Sequence, residues 1–218
     1  MNTRANFNFN QHYHIYNRTN NKEKLFLNNE NRSYFLKRYK FYLGPFLHIH
    51  AYALMRNHFH FCIKVKSQKD IETYLYQLPK TEHTVAIGRY LGSHEKESAI
   101  NNLIIGQHHR FFISYAQAFN KMYNRKGNLF YKNFKKSVFD PYNKFKYLQY
   151  YIHHNARKHK VVVDFKAYKW TSYHEILNND SKLIDIDFVI NHFGNLNAFK
   201  EFHEGMHFED KFQGIIIE

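Results

Sequence analysis

The stretch FLHIHAYALMRNHFHFCIKV, residues 46–65, decides the predicted fold. Its two halves, 46–54 and 58–65, are rich in β-branched and aromatic residues, which favours two strands joined by the short MRN turn. Side chains two apart on a strand share a face, about 6.6 Å apart along the strand. His58 and His60 therefore project from one face of an antiparallel hairpin, close enough to share a divalent metal ion.

The elements on either side of this hairpin predict an α+β fold. Apolar spacing and turn residues place strands at 12–18 and 128–139, and helices at 29–44, 68–78, 110–127 and 141–158. The stretch 92–108 is polar at its start and predicts a long loop. The resulting order predicts a ferredoxin-like or RRM-like antiparallel sheet with helices on one side, plus a C-terminal helical extension.

Composition excludes several classes of protein. The chain has 218 residues, 44% of them hydrophobic, including 22 Phe and 18 Tyr, which supports one domain with a substantial core and argues against disorder. Cys62 is the single cysteine, so a disulfide scaffold is excluded and a reducing, cytoplasmic location is expected. No apolar run is long enough for a transmembrane helix, so we expect no membrane partner.

The charge is unevenly distributed along the chain. Residues 1–160 hold 27 Lys and Arg against 8 Asp and Glu, whereas residues 161–218 hold 5 against 10. A basic surface interleaved with aromatic side chains is typical of nucleic-acid binding. We therefore expect a nucleic-acid-binding domain over 1–177 and an acidic helical extension over 178–218. We interpret this extension as a cap that packs on the main domain. The alternative is an acidic segment that competes with DNA for the basic surface.

A second candidate site lies in the last predicted helix of the basic region. Tyr151 and Asn155 are four residues apart, so a helix places the phenol and the amide on the same side. Two alternatives remain at this point. Tyr151 is one of 18 tyrosines and could simply be packed in the core. His48 and His50 have the same spacing as His58 and His60, so the spacing does not decide which pair would bind a metal.

Taken together and in order, four segments resemble one family. They are HIYNRTNNKEKLF at 14–26, AYALMRNHFHFCIKV at 51–65, YNRKGNLFYKNFK at 123–135 and YLQYYIHHNARK at 147–158. In this arrangement the chain resembles the single-tyrosine HUH transposases, and within them the REP-associated tyrosine transposases.

The resemblance implies a mechanism. His58 and His60 match the histidine pair that binds a catalytic Mg²⁺ or Mn²⁺, and Asn155 matches the polar position that completes the metal site. Tyr151 matches the nucleophile, which attacks a single-stranded DNA phosphate and gives a 5′-phosphotyrosine and a free 3′-hydroxyl. Attack by another 3′-hydroxyl then rejoins strands. The expected partner is single-stranded or hairpin DNA with repeat sequences.

The basic residues expected to hold this DNA are Arg18, Arg56, Arg125, Lys126, Lys132, Lys135 and Lys136. Three alternatives remain open. The first is a domesticated DNA-binding protein with the same fold and no turnover, and the second is a replication initiator or relaxase of the wider HUH class. The third is a homodimer in which the tyrosine serves the metal site of a partner rather than that of its own chain.

Overall fold

A four-stranded antiparallel sheet forms the centre of the molecule. The computed structural model describes residues 5–131 and 133–205. The strands are β1 (His12–Arg18), β2 (Leu47–Leu54), β3 (His58–Val65) and β4 (Lys135–Phe139), in the spatial order β2-β3-β1-β4. Every neighbouring pair is antiparallel. The spatial order places β1 and β3 in the centre of the sheet, as in a ferredoxin-like fold.

Helices connect and follow these strands within the described residues. They are α1 (Asn29–Leu43), α2 (Gln68–Gln77), α3 (Val85–Gly92), α4 (Lys96–Met122), α5 (Pro141–His153), α6 (Asn155–Lys158), α7 (Tyr173–Leu177), α8 (Ile186–Phe193) and α9 (Leu196–Gly205). The predicted α+β class with C-terminal helices is confirmed. None of these helices is both long and apolar enough to cross a lipid bilayer.

Side chains alternate along β3, and the two faces of the sheet pack against different helices. Phe61 stacks on Tyr39 of α1, with ring centroids 3.9 Å apart, and so faces α1 and α4. His60 lies on the other face, 5.5 Å from the ring of Tyr151 in α5. Helices therefore cover both faces, and the expectation of helices on one side needs this correction. The physical reason is that β1 and β3 bury large side chains on both faces.

The predicted loop at 92–108 is wrong, because most of it is the first half of α4. This helix begins at Lys96, well before the predicted start at residue 110. Ile100, Ile104 and Phe111 recur on one side of it and are fully buried. The exposed positions between them carry polar residues, and these concealed the helical period in the sequence.

Two other boundaries also differ from the prediction. The strand expected over 128–139 pairs continuously only from Lys135, because the preceding segment forms only an isolated bridge between Thr19 and Phe130, with the amide of Tyr131 donating to the carbonyl of Arg18 at the end of β1. The helix expected over 141–158 is interrupted at His154 and continues as α6.

The acidic C-terminal segment packs on the basic part of the chain as far as the structure describes it. Val189 and Phe193 of α8 and Phe199 of α9 are buried in the same hydrophobic cluster as the sheet. Phe188 stacks on His50 of β2, with ring centroids 4.3 Å apart. This arrangement agrees with the packing cap, whereas residues 206–218 lie outside the described residues.

Candidate functional site

The histidine pair of β3 and the Tyr151–Asn155 stretch meet on one face of the sheet. Nε2 of His58 lies 3.1 Å from Oδ1 of Asn155. The ring of Tyr151 stands edge-on to that of His60, with centroids 5.5 Å apart and planes at 85°. The four side chains predicted to carry the chemistry therefore converge within a single chain.

The break at His154 does not move Asn155 away from the side of Tyr151. The amide of His154 donates to the carbonyl of Tyr150 at 2.9 Å, and the amide of Lys158 donates to the carbonyl of His154 at 2.9 Å. These bonds keep the chain close to helical phase across the junction. Tyr150 points elsewhere and stacks on His154 at 3.9 Å. The structure thus separates the directions of the two adjacent tyrosines, and Tyr151 is the one whose ring lies against His60.

His58 is half-buried between two amide oxygens. Its Nδ1 lies 2.8 Å from Oδ1 of Asn57, and its Nε2 lies 3.1 Å from Oδ1 of Asn155. Both oxygens accept hydrogen bonds, but a neutral imidazole carries only one proton. Proton donation to Asn57 leaves the Nε2 lone pair facing the oxygen of Asn155. Two electron donors that face each other in this way could hold a cation.

His60 has one nitrogen bonded and the other unpartnered. Its Nδ1 lies 3.0 Å from Nε2 of His14, whereas its Nε2 is buried and has no hydrogen-bond partner within the described residues. Burial, reinforced by the neighbouring His14 and His58, holds the pKa of His60 well below its ordinary value. The ring is therefore neutral at pH 7, which is the form of histidine that binds a metal.

Tyr151 is fully buried beneath a cation. The Nζ of Lys158 lies 5.0 Å from the centre of its ring, and the ring of His14 lies 5.9 Å away. Sequence reasoning missed both neighbours. Lys158 follows Tyr151 by seven residues, two helical turns, and this spacing could have indicated it. His14 had no distinguishing signal among 17 histidines.

Histidines outside this centre contact other groups of the fold. His48 lies 3.2 Å from a carboxylate oxygen of Asp185, while His50 packs against α8. His153 is buried with Nδ1 2.8 Å from Nε2 of His203 and Nε2 2.9 Å from Oγ of Ser172. Within the described residues, no group of three or more His, Cys, Asp or Glu side chains is arranged to hold a metal ion. The candidate centre consists instead of two imidazoles and an amide.

Two of the predicted DNA-binding residues lie beside this centre. Arg18 pairs with His58 across β1 and β3, and its guanidinium lies 5.0 Å from the ring of Tyr131. Lys135 pairs with Tyr16, which in turn pairs with His60, so it shares the face of the histidines. Both cations are exposed. Arg56 and Lys126 are also exposed, whereas Lys132 lies outside the described residues.

Arg125 and Lys136, also expected to bind DNA, contact groups of the protein itself. The guanidinium of Arg125 is held by Glu23, at 2.7 Å, and by bonds to Asn120 and to the carbonyls of residues 127 and 128. Lys136 lies on the opposite face of β4 from Lys135 because neighbouring strand residues alternate. Its side chain is 8% exposed, with Nζ 4.5 Å from the ring of Phe7, and burial lowers its pKa. These two residues stabilise the fold in this structure.

Comparison with known proteins supports the fold. No protein-family model matches the chain, and no curated protein sequence matches it. Among solved structures, the chain is similar to a REP-associated tyrosine transposase bound to a REP hairpin, with a TM-score of 0.55 and 12% sequence identity. The similarity covers 84% of this chain and 87% of the other. At this identity, the similarity establishes a shared α+β architecture over most of both chains.

Proposed function

We propose that this protein is a DNA strand transferase that cleaves and rejoins single-stranded DNA through Tyr151, with a divalent metal ion. One observation supports this function above all others: the phenol ring of Tyr151 lies beside His60 while Asn155 reaches His58, all in one chain. A phenol beside a pair of imidazoles and an amide oxygen suits nucleophilic attack on a phosphate.

The chain would perform the reaction in two reversible steps. The Tyr151 oxygen loses its proton and attacks the phosphorus, forming a Tyr–O–P bond. The bond from phosphorus to the 3′-oxygen breaks, and that oxygen takes up a proton to become a 3′-hydroxyl. Attack by the same or another 3′-hydroxyl reverses the step and releases Tyr151. Because the phosphotyrosine retains the energy of the original phosphodiester, no nucleotide cofactor is needed.

The residues present fit a hard or borderline divalent cation. His58, His60 and Asn155 would hold Mg²⁺ or Mn²⁺, since the unpartnered Nε2 of His60 and the facing acceptors of His58 and Asn155 supply three ligand atoms. Bound there, such an ion supplies Lewis acidity to the phosphate oxygens. Lys158, whose Nζ lies 5.0 Å from the centre of the Tyr151 ring, can contact the same phosphate.

The partner that fits this surface is single-stranded DNA next to a hairpin. Arg18 and Lys135 would neutralise phosphates on the β1–β4 side of the histidines, and Tyr131, 45% exposed beneath Arg18, offers a ring for base stacking. The structurally similar transposase binds a REP hairpin, which supports hairpin DNA as the first substrate to try.

Label position tests the chemistry directly. The full-length protein is incubated with Mn²⁺ and oligonucleotides that contain a hairpin with single-stranded flanks, labelled at either the 5′ or the 3′ end. A 5′-phosphotyrosine carries the 3′-terminal fragment, so the 3′ label is expected on the protein and the 5′ label on a released strand. Tyr151→Phe should abolish the adduct, whereas the matched Tyr150→Phe variant should retain it. An adduct that persists in Tyr151→Phe contradicts the assignment.

The full burial of Tyr151 favours a second candidate, a DNA-binding protein of the same fold without turnover. Such a protein binds the hairpin oligonucleotides with a steep salt dependence and forms no adduct with any of them. Binding without an adduct, with Mn²⁺ present, would therefore select this function over the strand transferase.

A further inference from the structure

A buried imidazole on β1 contacts the candidate metal ligand His60. His14 and Tyr16 lie on the same face of β1, and Tyr16 pairs directly with His60 of β3, so His14 reaches His60 diagonally. Nε2 of His14 is 3.0 Å from Nδ1 of His60, and the two rings are nearly parallel at 5.2 Å. His14 is 3% exposed and His60 is 2% exposed. The contact is therefore shielded from water.

The contact permits two arrangements of protons, and they differ in what His60 offers to the site. If Nδ1 of His60 donates to His14, then Nε2 of His60 is a lone pair and can bind a cation. If His14 donates instead, the proton of the neutral His60 is on Nε2, where the described residues offer it no acceptor. The first arrangement satisfies every proton of His60, and a buried unpartnered N–H costs about 1–3 kcal/mol.

The other histidine of the pair has a partner of the same kind. Nδ1 of His58 lies 2.8 Å from Oδ1 of Asn57, which leaves its Nε2 directed at Asn155. Both histidines thus have an acceptor at Nδ1 and keep Nε2 for the site. Histidine ligands of metals commonly use the second nitrogen in this way, which fixes the tautomer and the orientation of the ring.

We propose that His14 is a positioning residue that accepts a hydrogen bond from Nδ1–H of His60 and so keeps the Nε2 of His60 a lone pair that can bind a metal ion. This inference rests on the proposed metal-dependent function. It assigns His14 a role that does not require contact with DNA, with the metal ion or with the reacting phosphate. It also explains why a polar ring occupies a buried position on a central strand.

The tautomer of His60 can be measured without metal or substrate. Nitrogen NMR of histidine-labelled full-length protein at pH 7.5 distinguishes a protonated nitrogen from a lone pair, and the His60 signals are identified by their loss in His60→Gln. We expect protonation at Nδ1 in the wild type. In His14→Phe, which keeps a ring but has no acceptor, the Nδ1-protonated population should fall. His60 protonated at Nε2 in the wild type overturns the proposal.

Mn²⁺ binding followed by calorimetry provides the second readout. His14→Phe should weaken affinity by about 10–100-fold, the usual cost of losing such a partner. His14→Gln, whose side-chain oxygen can accept the same bond, should recover part of the loss. His12→Phe, another buried histidine of β1, is the matched control and should bind as the wild type does. Equal affinity in His14→Phe and the wild type refutes the proposal.

The two measurements separate this inference from the function on which it rests. A wild type that binds no Mn²⁺ and forms no adduct defeats the proposed function, while the His60 tautomer in the metal-free protein still decides for or against the role of His14. Adduct formation by the wild type, together with an unchanged tautomer and affinity in His14→Phe, retains the function and removes the inference.

Discussion

Acidification from pH 7.5 to pH 5.5 should lower the free energy of unfolding by at least about 4 kcal/mol. Three buried histidines, none of them a proposed metal ligand, set this lower bound. Burial is the largest cause that lowers the pKa of His12 to about 4, of His108 to about 3 and of His203 to about 4. In the unfolded chain each has a pKa near 6.5. The native state therefore binds fewer protons, and its stability falls as the pH drops from about 6.5 toward 4.

The magnitude follows from proton linkage. At pH 5.5 an unfolded histidine is largely protonated, whereas these three remain neutral in the native protein, so each contributes about 1.3 kcal/mol relative to pH 7.5. Three groups give about 4 kcal/mol, a large part of the about 5–15 kcal/mol that stabilises a typical domain. The other histidines whose pKa is lowered change stability in the same direction.

Urea unfolding followed by circular dichroism at the two pH values measures this difference, provided that the slope against urea stays constant. The matched variant is His108→Phe, because His108 stacks on Phe134 with centroids 4.5 Å apart and a phenyl ring fits the same aromatic cluster. Its pH effect should be smaller than that of the wild type by about 1.3 kcal/mol. A wild-type difference below about 1 kcal/mol would show that these histidines do not lose their protons on folding, and would refute the reasoning.

Three further predictions concern binding and the core. Lys135→Ala should lower the slope of log affinity for single-stranded DNA against log salt by about 0.7, which fluorescence anisotropy measures. Lys136→Ala should leave this slope unchanged and should instead reduce the stability measured by urea unfolding. Asn155→Ala should weaken Mn²⁺ binding measured by calorimetry, and unaltered affinity would remove Asn155 from the ligand set. Phe35→Ala should destabilise the protein by about 3–5 kcal/mol, because its ring is fully buried between β3 and α4; a loss below about 1 kcal/mol in urea unfolding contradicts this packing.

The sequence predicted the parts of the molecule that depend on local spacing. The hairpin follows from two short strands around a three-residue turn, and His58 and His60 share a face because strands alternate. The placement of Tyr151 and Asn155 on one side also follows from helical periodicity, and the structure retains it despite the break at His154. Each of these inferences needs only residues that are close together in the chain.

Features that depend on distant contacts could not be read from the sequence. His14 reaches His60 only through the β1–β3 register, which joins residues 46 positions apart. The burial of Lys136 and the exposure of Lys135 depend on which face of β4 meets α4, and two adjacent lysines look alike before the sheet is assembled. The start of α4 was missed because its buried positions are separated by polar residues such as Asn101 and Asn102.

The contact between Tyr151 and His60 within one chain has a consequence for mixed assemblies. A His60→Ala protein keeps the tyrosine, and a Tyr151→Phe protein keeps the histidines, but neither contains both halves of one centre. Mixing the two inactive proteins is therefore expected to restore no activity, and coexpressed inactive copies should reduce wild-type activity only by competing for DNA. Restoration on mixing would instead reveal shared centres built by exchange of the tyrosine helix between copies.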